Sequence, residues 1–358
     1  MSRTQSIKTE IAKWLEMQIE ALGPGGRLPP IREIMRQFNT AQRVVQAVVQ
    51  EFVQDGRLIS RSGLGIVVAD ASAEAEDHWD GDFLVLHRSS ESAIASNLLR
   101  ELARRFRARG ISMLQIGYED EAQALQVLER MGRFKACLIQ GHFQPLSIEF
   151  LSALKTHAAH IISDGVYVSG IDVDAVGTDW REAVSLAFSQ LKEQGHERIG
   201  FLTSGHSART IAMARREFEI LRRFATEPDK CPLIAIDALP GDYTADKVFD
   251  ALAPYEVAKS ELDITALITW GVVEGIVLDL ALTRLGLRAG EDLSVIMLGS
   301  VDFQSEHLKR FDVVGNSDQA KIDTFENIIL ARIQGEARAP QSHYLEIETI
   351  KNGSVAQK

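Results

Sequence analysis

From Phe83 onward, short apolar runs alternate with segments of helical periodicity, and few architectures accommodate that pattern. Parallel strands need a crossover between neighbours, and a helix serves as one while covering a sheet face, so the pattern reads as parallel sheet. The spacing predicts strands at Phe83–His87, Ser112–Ile116, Ala136–Gln140 and His160–Ser163, separated by helices at Ser92–Arg109, Glu121–Met131 and Ile148–His157. A second series runs helix Trp180–Gln194, strand Arg198–Thr203, helix Ala208–Phe224, strand Leu233–Ile236, helix Tyr243–Leu252, strand Ala266–Thr269, helix Val272–Leu285 and strand Leu293–Leu298. A last helix, Gln319–Gln334, precedes a terminal strand, Tyr344–Ile350. The pattern implies two doubly wound lobes: lobe one from about residues 82–173 and 303–318, lobe two from about 174–302 and 319–350. Ligands of such folds bind between the lobes, at the carboxyl ends of the strands.

The stretch Gly23–Val68 reads differently. Ile7, Ile11, Trp14, Leu15, Ile19 and Leu22 form one face of a first helix, which the glycines from Gly23 end. Pro30 suits the first turn of a short helix, Ile31–Phe38, and Asn39 or Thr40 is positioned to cap a third. In that third helix Val44, Val45, Val48, Val49 and Phe52 share one face, while Gln42, Arg43, Gln46, Gln50 and Gln54 share the other. Amide side chains on an exposed helix suit base edges, since glutamine pairs bidentately with adenine in the major groove. Two short strands around Gly63 and Gly65 complete a winged helix-turn-helix. The expected organisation is α/β and multidomain: a DNA-binding head at residues 1–69, an acidic linker at 70–81 with Trp79 placed to dock on the next domain, and a two-lobed domain at 82–358.

The net charge of −11 argues against a nucleic-acid partner only when the chain is taken whole. Met1–Asp70 holds nine Lys or Arg against seven Asp or Glu, a balance of +2, which leaves −13 for the remainder. Phosphate contacts need local positive charge, and an acidic body leaves DNA to the head. No apolar run is long enough to span a bilayer and the first twenty residues lack a signal-peptide core, so a cytoplasmic protein with no membrane partner is expected. Cys137 and Cys231 stand far apart without ligand-spaced neighbours and read as buried thiols. No nucleophile elbow, zinc-protease motif or phosphate loop is present, so neither catalysis nor a cofactor is expected.

The ordered landmarks Arg27-Leu28-Pro29, Arg32-Glu33, Phe38, the valine-rich helix, Asp55-Gly56 and Gly63-Leu64-Gly65 resemble the GntR family of winged-helix regulators. The resemblance implies DNA contacts from Arg27, Arg32, the start of the third helix (Gln42, Arg43 and Gln46), Arg61 and the tip at Gly63. Where the family opens its recognition helix with Ser-Arg, this chain has Ala41-Gln42, and Gln46 replaces a later arginine. The loss of a guanine-reading arginine implies a shifted operator preference, toward adenine.

A second resemblance rests on Val176-Gly177-Thr178-Asp179, on Gly195-His196 with Arg198-Ile199, and on Leu285-Gly286-Leu287 with Glu291-Asp292-Leu293-Ser294-Val295. These are similar to the effector domain of LacI/GalR-type repressors, a periplasmic-binding-protein-like fold, and the pairing with a GntR head resembles arabinose-repressor-like regulators. It implies a homodimeric repressor of a double-stranded operator, controlled by a small-molecule effector, sugar-like or other. The sugar-binding residues of that family are not intact. Aligned on Phe218, Ala214 stands for an arginine; Trp270-Gly271 stands for Asn-Asp; Met297-Leu298-Gly299 replaces Gly-x-Asp and leaves Asp302 as a late substitute. Candidate effector contacts are Ser89, Ser90, His142 and Asp164 from lobe one, with Asp179, Arg215, Trp270 and Asp302 across the cleft. Asp164 and Asp179 serve equally well as helix caps, and His196 reads as structural. The altered pocket also fits an effector-like domain that has lost its ligand and serves dimerisation or protein docking.

Overall fold

The computed structural model describes residues 3–23, 26–55, 57–61, 65–68, 79–89, 92–165, 172–303, 308–336 and 338–358. The chain forms two compact units, Met1–His78 and Trp79–Lys358.

In the first unit α1 (Arg3–Leu22), α2 (Ile31–Gln37) and α3 (Gln42–Gln54) precede an antiparallel pair, β1 (Leu58–Arg61) and β2 (Gly65–Val68). The valine face of α3 supplies Val45, Val48, Val49 and Phe52 to a core shared with Ile11, Leu15, Leu28 and Ile34. Gly23 takes φ +64 just past α1, the left-handed turn that ends a helix at little cost when the residue is glycine. Neither Asn39 nor Thr40 caps α3. Asn39 turns left-handed at φ +41 and the Thr40 amide donates back to Met35, so the extended cap position falls on Ala41, which makes no side-chain bond. Arg27 bridges Val67, and Leu28 N–H donates to Ile66, so the crossover after α1 lies along the hairpin as a third partner.

The second unit carries two six-stranded sheets. The first lobe is built from β3 (Gly81–Arg88), α4 (Ala93–Ala108), β4 (Met113–Tyr118), α5 (Glu121–Leu128), β5 (Phe134–Gln140), α6 (Ile148–His157), β6 (Ala158–Asp164) and β7 (Val173–Gly177). The second is built from α7 (Trp180–Glu193), β8 (Ile199–Ser204), α8 (Arg209–Leu221), β9 (Leu233–Ile236), α9 (Ala245–Leu252), the small hairpin β10 (Glu256–Ala258) and β11 (Glu261–Leu262), β12 (Ala266–Trp270), α10 (Gly275–Arg284), β13 (Ser294–Ser300) and β14 (Asp312–Asn316). The chain then returns to lobe one for α11 (Asp318–Ile333) and β15 (Ser342–Tyr344), and ends in lobe two with β16 (Glu348–Ile350). The sheet orders are β15-β7-β6-β5-β3-β4 and β16-β14-β13-β12-β8-β9, parallel except for β16. Alternation along each strand feeds both faces: Phe83 and Val85 pack toward α4 and α11, Leu84 and Leu86 toward α5 and α6. Among the described residues no helix is long and apolar enough to cross a membrane, and both cysteines are buried thiols.

These elements correct the expected lobe boundaries. Residues 312–316 form β14 in the second sheet, not part of lobe one, and α11 packs Ile322, Phe325, Ile328 and Ile329 into lobe one, not lobe two. The expected terminal strand is two strands, one in each sheet. Strand β7 was hidden in the sequence because Asp174 interrupts its apolar run. That carboxylate is buried, paired with Arg332 of α11 at 2.7 and 3.1 Å, and accepts the Gln341 amide at 2.9 Å. Of the expected linker, residues 70–78 lie outside the described residues; Trp79 lies under the Arg133 guanidinium at 4.7 Å.

A buried pair of this kind is costly to break on one side, because the remaining charge loses its partner in a dry site. Asp174→Ala is expected to lower unfolding stability by about 3–5 kcal/mol, and a double variant combining Asp174→Ala with Arg332→Met is expected to recover part of the loss. Chemical denaturation of both variants is the measurement.

Candidate functional site

Three crossings join the lobes: Gly177 to Trp180, Asn316 to Asp318, and Tyr344 to Glu348. They are tied to one another, since Thr178 Oγ1 donates to Asn316 Oδ1 at 2.7 Å and Leu345 N–H donates to Gly177 O at 3.0 Å. A cavity of about 180 Å³ opens beside this hinge, between the carboxyl ends of the two sets of strands. Lobe one lines it with Ser92, Gln140, His142, Phe143 and Asp164; lobe two with Trp180, Thr210, Trp270, Met297 and Ser300; the hinge adds Thr178, Asn316, Asp318 and Lys321.

The polar groups are already interlocked. Lys321 Nζ lies 2.7 Å from Asp164 Oδ1, and Gln140 Nε2 donates to Asp164 Oδ2 at 2.9 Å. Asp318 is 5% exposed and accepts Asn97 Nδ2 at 3.1 Å. Burial pushes the Asp318 carboxyl above the usual range, against the opposing pull of Asn97 and Lys321. Burial likewise holds His142 below the ordinary imidazole value, although Asp242 and Asp164 favour its charged form.

The loop after β5 reaches from lobe one into lobe two. Phe143 packs on the second lobe's core, its ring edge-on to Trp270 with centroids 6.1 Å apart, and Trp180 stacks on Trp270 at 4.9 Å. His142 Nε2 comes within 3.9 Å of Asp242 Oδ2 across the cleft. Both His142 and Phe143 hold positive φ, +44 and +63. Left-handed backbone at a bulky residue costs about 1–3 kcal/mol and persists where surrounding contacts impose it. At the mouth the lobes touch directly: a Cβ built on Gly241 (φ +96) would stand 3.0 Å from Ser92 Cβ.

Of the residues singled out in the sequence, His142, Asp164 and Trp270 come together around this cavity. Asp179, Arg215, Asp302 and Ser89 do not line it. Asp179 caps α7 through Arg181 N–H at 3.1 Å and pairs with the Arg181 side chain, which holds its carboxyl below the usual range. Arg215 is half-buried on α8 and donates to Gly205 O. Asp302 stands at the hinge, where it accepts from Ser317 Oγ and Ser300 Oγ and from the Asp318 and Gln319 amides. Burial works to raise its carboxyl, and these donors together hold it lowered. Ser89 is exposed, its amide on Tyr118 O, and Ser90 lies outside the described residues. His196 is buried, with its ring nitrogens 3.0 Å from Thr265 Oγ1 and Ala356 O. Sequence reasoning missed Thr178, Trp180, Asn316, Asp318 and Lys321. Thr178 follows and Asn316 ends a strand it did not see, while Asp318 and Lys321 lie in the first turn of α11, where polar residues are ordinary.

In the first unit Arg27, Arg32, Gln42, Arg43 and Gln46 are all exposed. Arg61 pairs with Gly65 through its backbone, while its side chain and Gly63 lie outside the described residues.

The second unit is thus a two-sheet, parallel-rich α/β fold with its cleft at the strand ends, and it matches the ligand-binding fold of LacI-family regulators. No protein-family model matches the chain. Among solved structures it is similar to a LacI transcriptional regulator from Rhodococcus species, at 16% identity and TM-score 0.60 over 77% of this chain and 98% of that one. A LacI family regulator from Enterococcus faecium with bound ribose matches at 17% identity and TM-score 0.61, over 77% and 99%. The trehalose repressor from Escherichia coli matches at 15% and 0.58, over 75% and 100%.

Removing the Phe143 ring takes away an aromatic contact worth about 0.5–1.5 kcal/mol and leaves the strained loop without its anchor. Phe143→Ala is expected to shift the lobes toward an open arrangement by about that amount. A red-shifted tryptophan emission and a larger radius of gyration in X-ray scattering are the readouts.

Proposed function

We propose that the chain is a DNA-binding transcriptional regulator, a homodimeric repressor acting in the cytoplasm, in which a small molecule held between the lobes sets affinity for a double-stranded operator. The observation that carries this reading is a pairing within one chain. A cleft-bearing unit shares its fold with regulators, one of them solved with ribose. An N-terminal unit turns Gln42, Arg43, Gln46 and Gln50 outward from a helix whose other face is buried.

We read that N-terminal unit as a winged helix-turn-helix of GntR type. Three helices followed by an antiparallel pair, with the crossover at Leu28 bonded to Ile66, support it. In this reading α3 is the recognition helix, its first turn presenting Gln42, Arg43 and Gln46 to base edges, while Arg27, Arg32 and Arg61 meet phosphates. The small positive balance of this segment gives each copy few phosphate contacts, so useful affinity requires two copies. Control is differential: the ligand binds one lobe arrangement more tightly, and that arrangement has a different operator affinity.

Fluorescence anisotropy with DNA across a salt series tests the reading. About six phosphate contacts per dimer correspond to a slope of log K against log salt near −5. Arg32→Ala should weaken binding to all sequences alike and make the slope shallower by about 2 per dimer. Absence of DNA binding at low salt, or binding without a salt slope, refutes the head's assignment.

A further inference from the structure

The cleft's own chemistry narrows the ligand, an inference that rests on the ligand-binding reading above. Several of its polar side chains bond to one another. Gln140 serves Asp164, and Asn316 takes Thr178 on its oxygen while donating to Ser317 O. Ser300 donates to Asp302, and Lys321 is held by Asp164. Asp318 is different. Asn97 satisfies Oδ2, and among the described residues no donor serves Oδ1.

The charge around Asp318 is also unbalanced. Asp164 and Asp302 both disfavour its charged form, and Lys321, held by Asp164, opposes them. His142 does not fill the deficit, because burial and the nearby Arg88 both favour its neutral form. Opposite stands an apolar wall: Trp270 with Trp180 stacked behind it, then Val272 and Leu298. A polyol would bury part of its hydroxyls against this apolar wall, which is costly. An anion would meet uncompensated carboxylate.

We propose that the cleft takes a small organic cation, an apolar ring-bearing body with one ammonium group that pairs with the open oxygen of Asp318. The ammonium supplies the missing charge and a charge-assisted hydrogen bond, and the ring lies against the tryptophan wall.

Calorimetric titration of the full chain with four probes tests this: 2-phenylethylamine, the neutral isostere 2-phenylethanol, the anion phenylacetate, and ribose. The amine is expected to bind about tenfold or more tighter than the alcohol, with phenylacetate and ribose weaker again. Asp318→Asn should erase the preference for amine over alcohol. Its melting midpoint should not fall, because the amide keeps the Asn97 bond and sheds a desolvated charge. Absence of amine binding, equal or tighter binding of alcohol, phenylacetate or ribose, or an amine affinity unaffected by Asp318→Asn each overturns the proposal. Operator anisotropy separates it from the regulator reading. An amine that binds without changing DNA affinity sinks regulation and leaves the ligand class standing; ribose shifting DNA affinity where the amine does not sinks the ligand class alone.

Discussion

The architecture of the second unit depends on three crossings of the chain between two parallel sheets. Parallel strands present all their carboxyl ends along one edge, so each lobe offers one edge where loops and side chains converge. The crossings bring the two edges face to face and fix what lies between them. The bonds from Thr178 to Asn316 and from Leu345 to Gly177 join the three strands of chain, so no crossing moves without the others. Asp302 adds a further restraint, reaching from the end of β13 in lobe two to the first amides of α11 in lobe one. Carboxylates favour a helix start both by accepting its free amides and by complementing its dipole. The side chain expected to touch a ligand is therefore used to hold the hinge.

The cleft is held together by contacts the protein makes with itself. Phe143 plugs into the second lobe's aromatic cluster, and the two left-handed residues that carry it are tolerated because the ring is anchored. A ligand bound between such lobes acts only through the difference between its contacts in the two arrangements. Groups contributed from both lobes are what create that difference. In the proposed reading these are the Asp164–Lys321 pair and Asp318 on one side of the cavity and the tryptophans on the other.

Much of the fold was legible in the sequence, and the parts that were not share a cause. Strands such as Phe83–His87 and Ala266–Thr269 are buried on both faces and announce themselves as apolar runs, which any periodicity argument finds. Strand β7 carries Asp174 and β14 begins with Asp312, and both carboxylates are buried because the tertiary structure supplies partners: Arg332 for one, the Asn352, Gly353 and Ser354 amides for the other. Local pattern cannot reveal a partner from so far along the chain. The lobe boundaries failed for the same reason, since membership of β14 and α11 is decided by which sheet they pack on. At the site, His142 and Trp270 were found because they follow recognisable strands. Asp318 and Lys321 were missed because a polar first helical turn is ordinary, and only the sheet behind it turns it into a cavity wall.

Departures from the sugar-binding pattern acquire physical content once located. Ala214 is buried among the helices of lobe two, in a packed environment where a guanidinium would need both room and a partner. Gly299 and Gly315 lie side by side in neighbouring strands, and a Cβ on Gly315 would fall 1.8 Å from Gly299 O, so close backbone approach occupies that corner of the cleft floor. Trp270 places an indole where two amide or carboxylate groups would otherwise stand, and Trp180 and Phe143 pack around it. Ala214 and Trp270 put apolar side chains on lobe two, while Asp164, Asp318 and Lys321 collect on lobe one and at the hinge. For the ligand class proposed above, such a partition would orient the molecule end to end, with its polar group toward α11 and its apolar body toward β12.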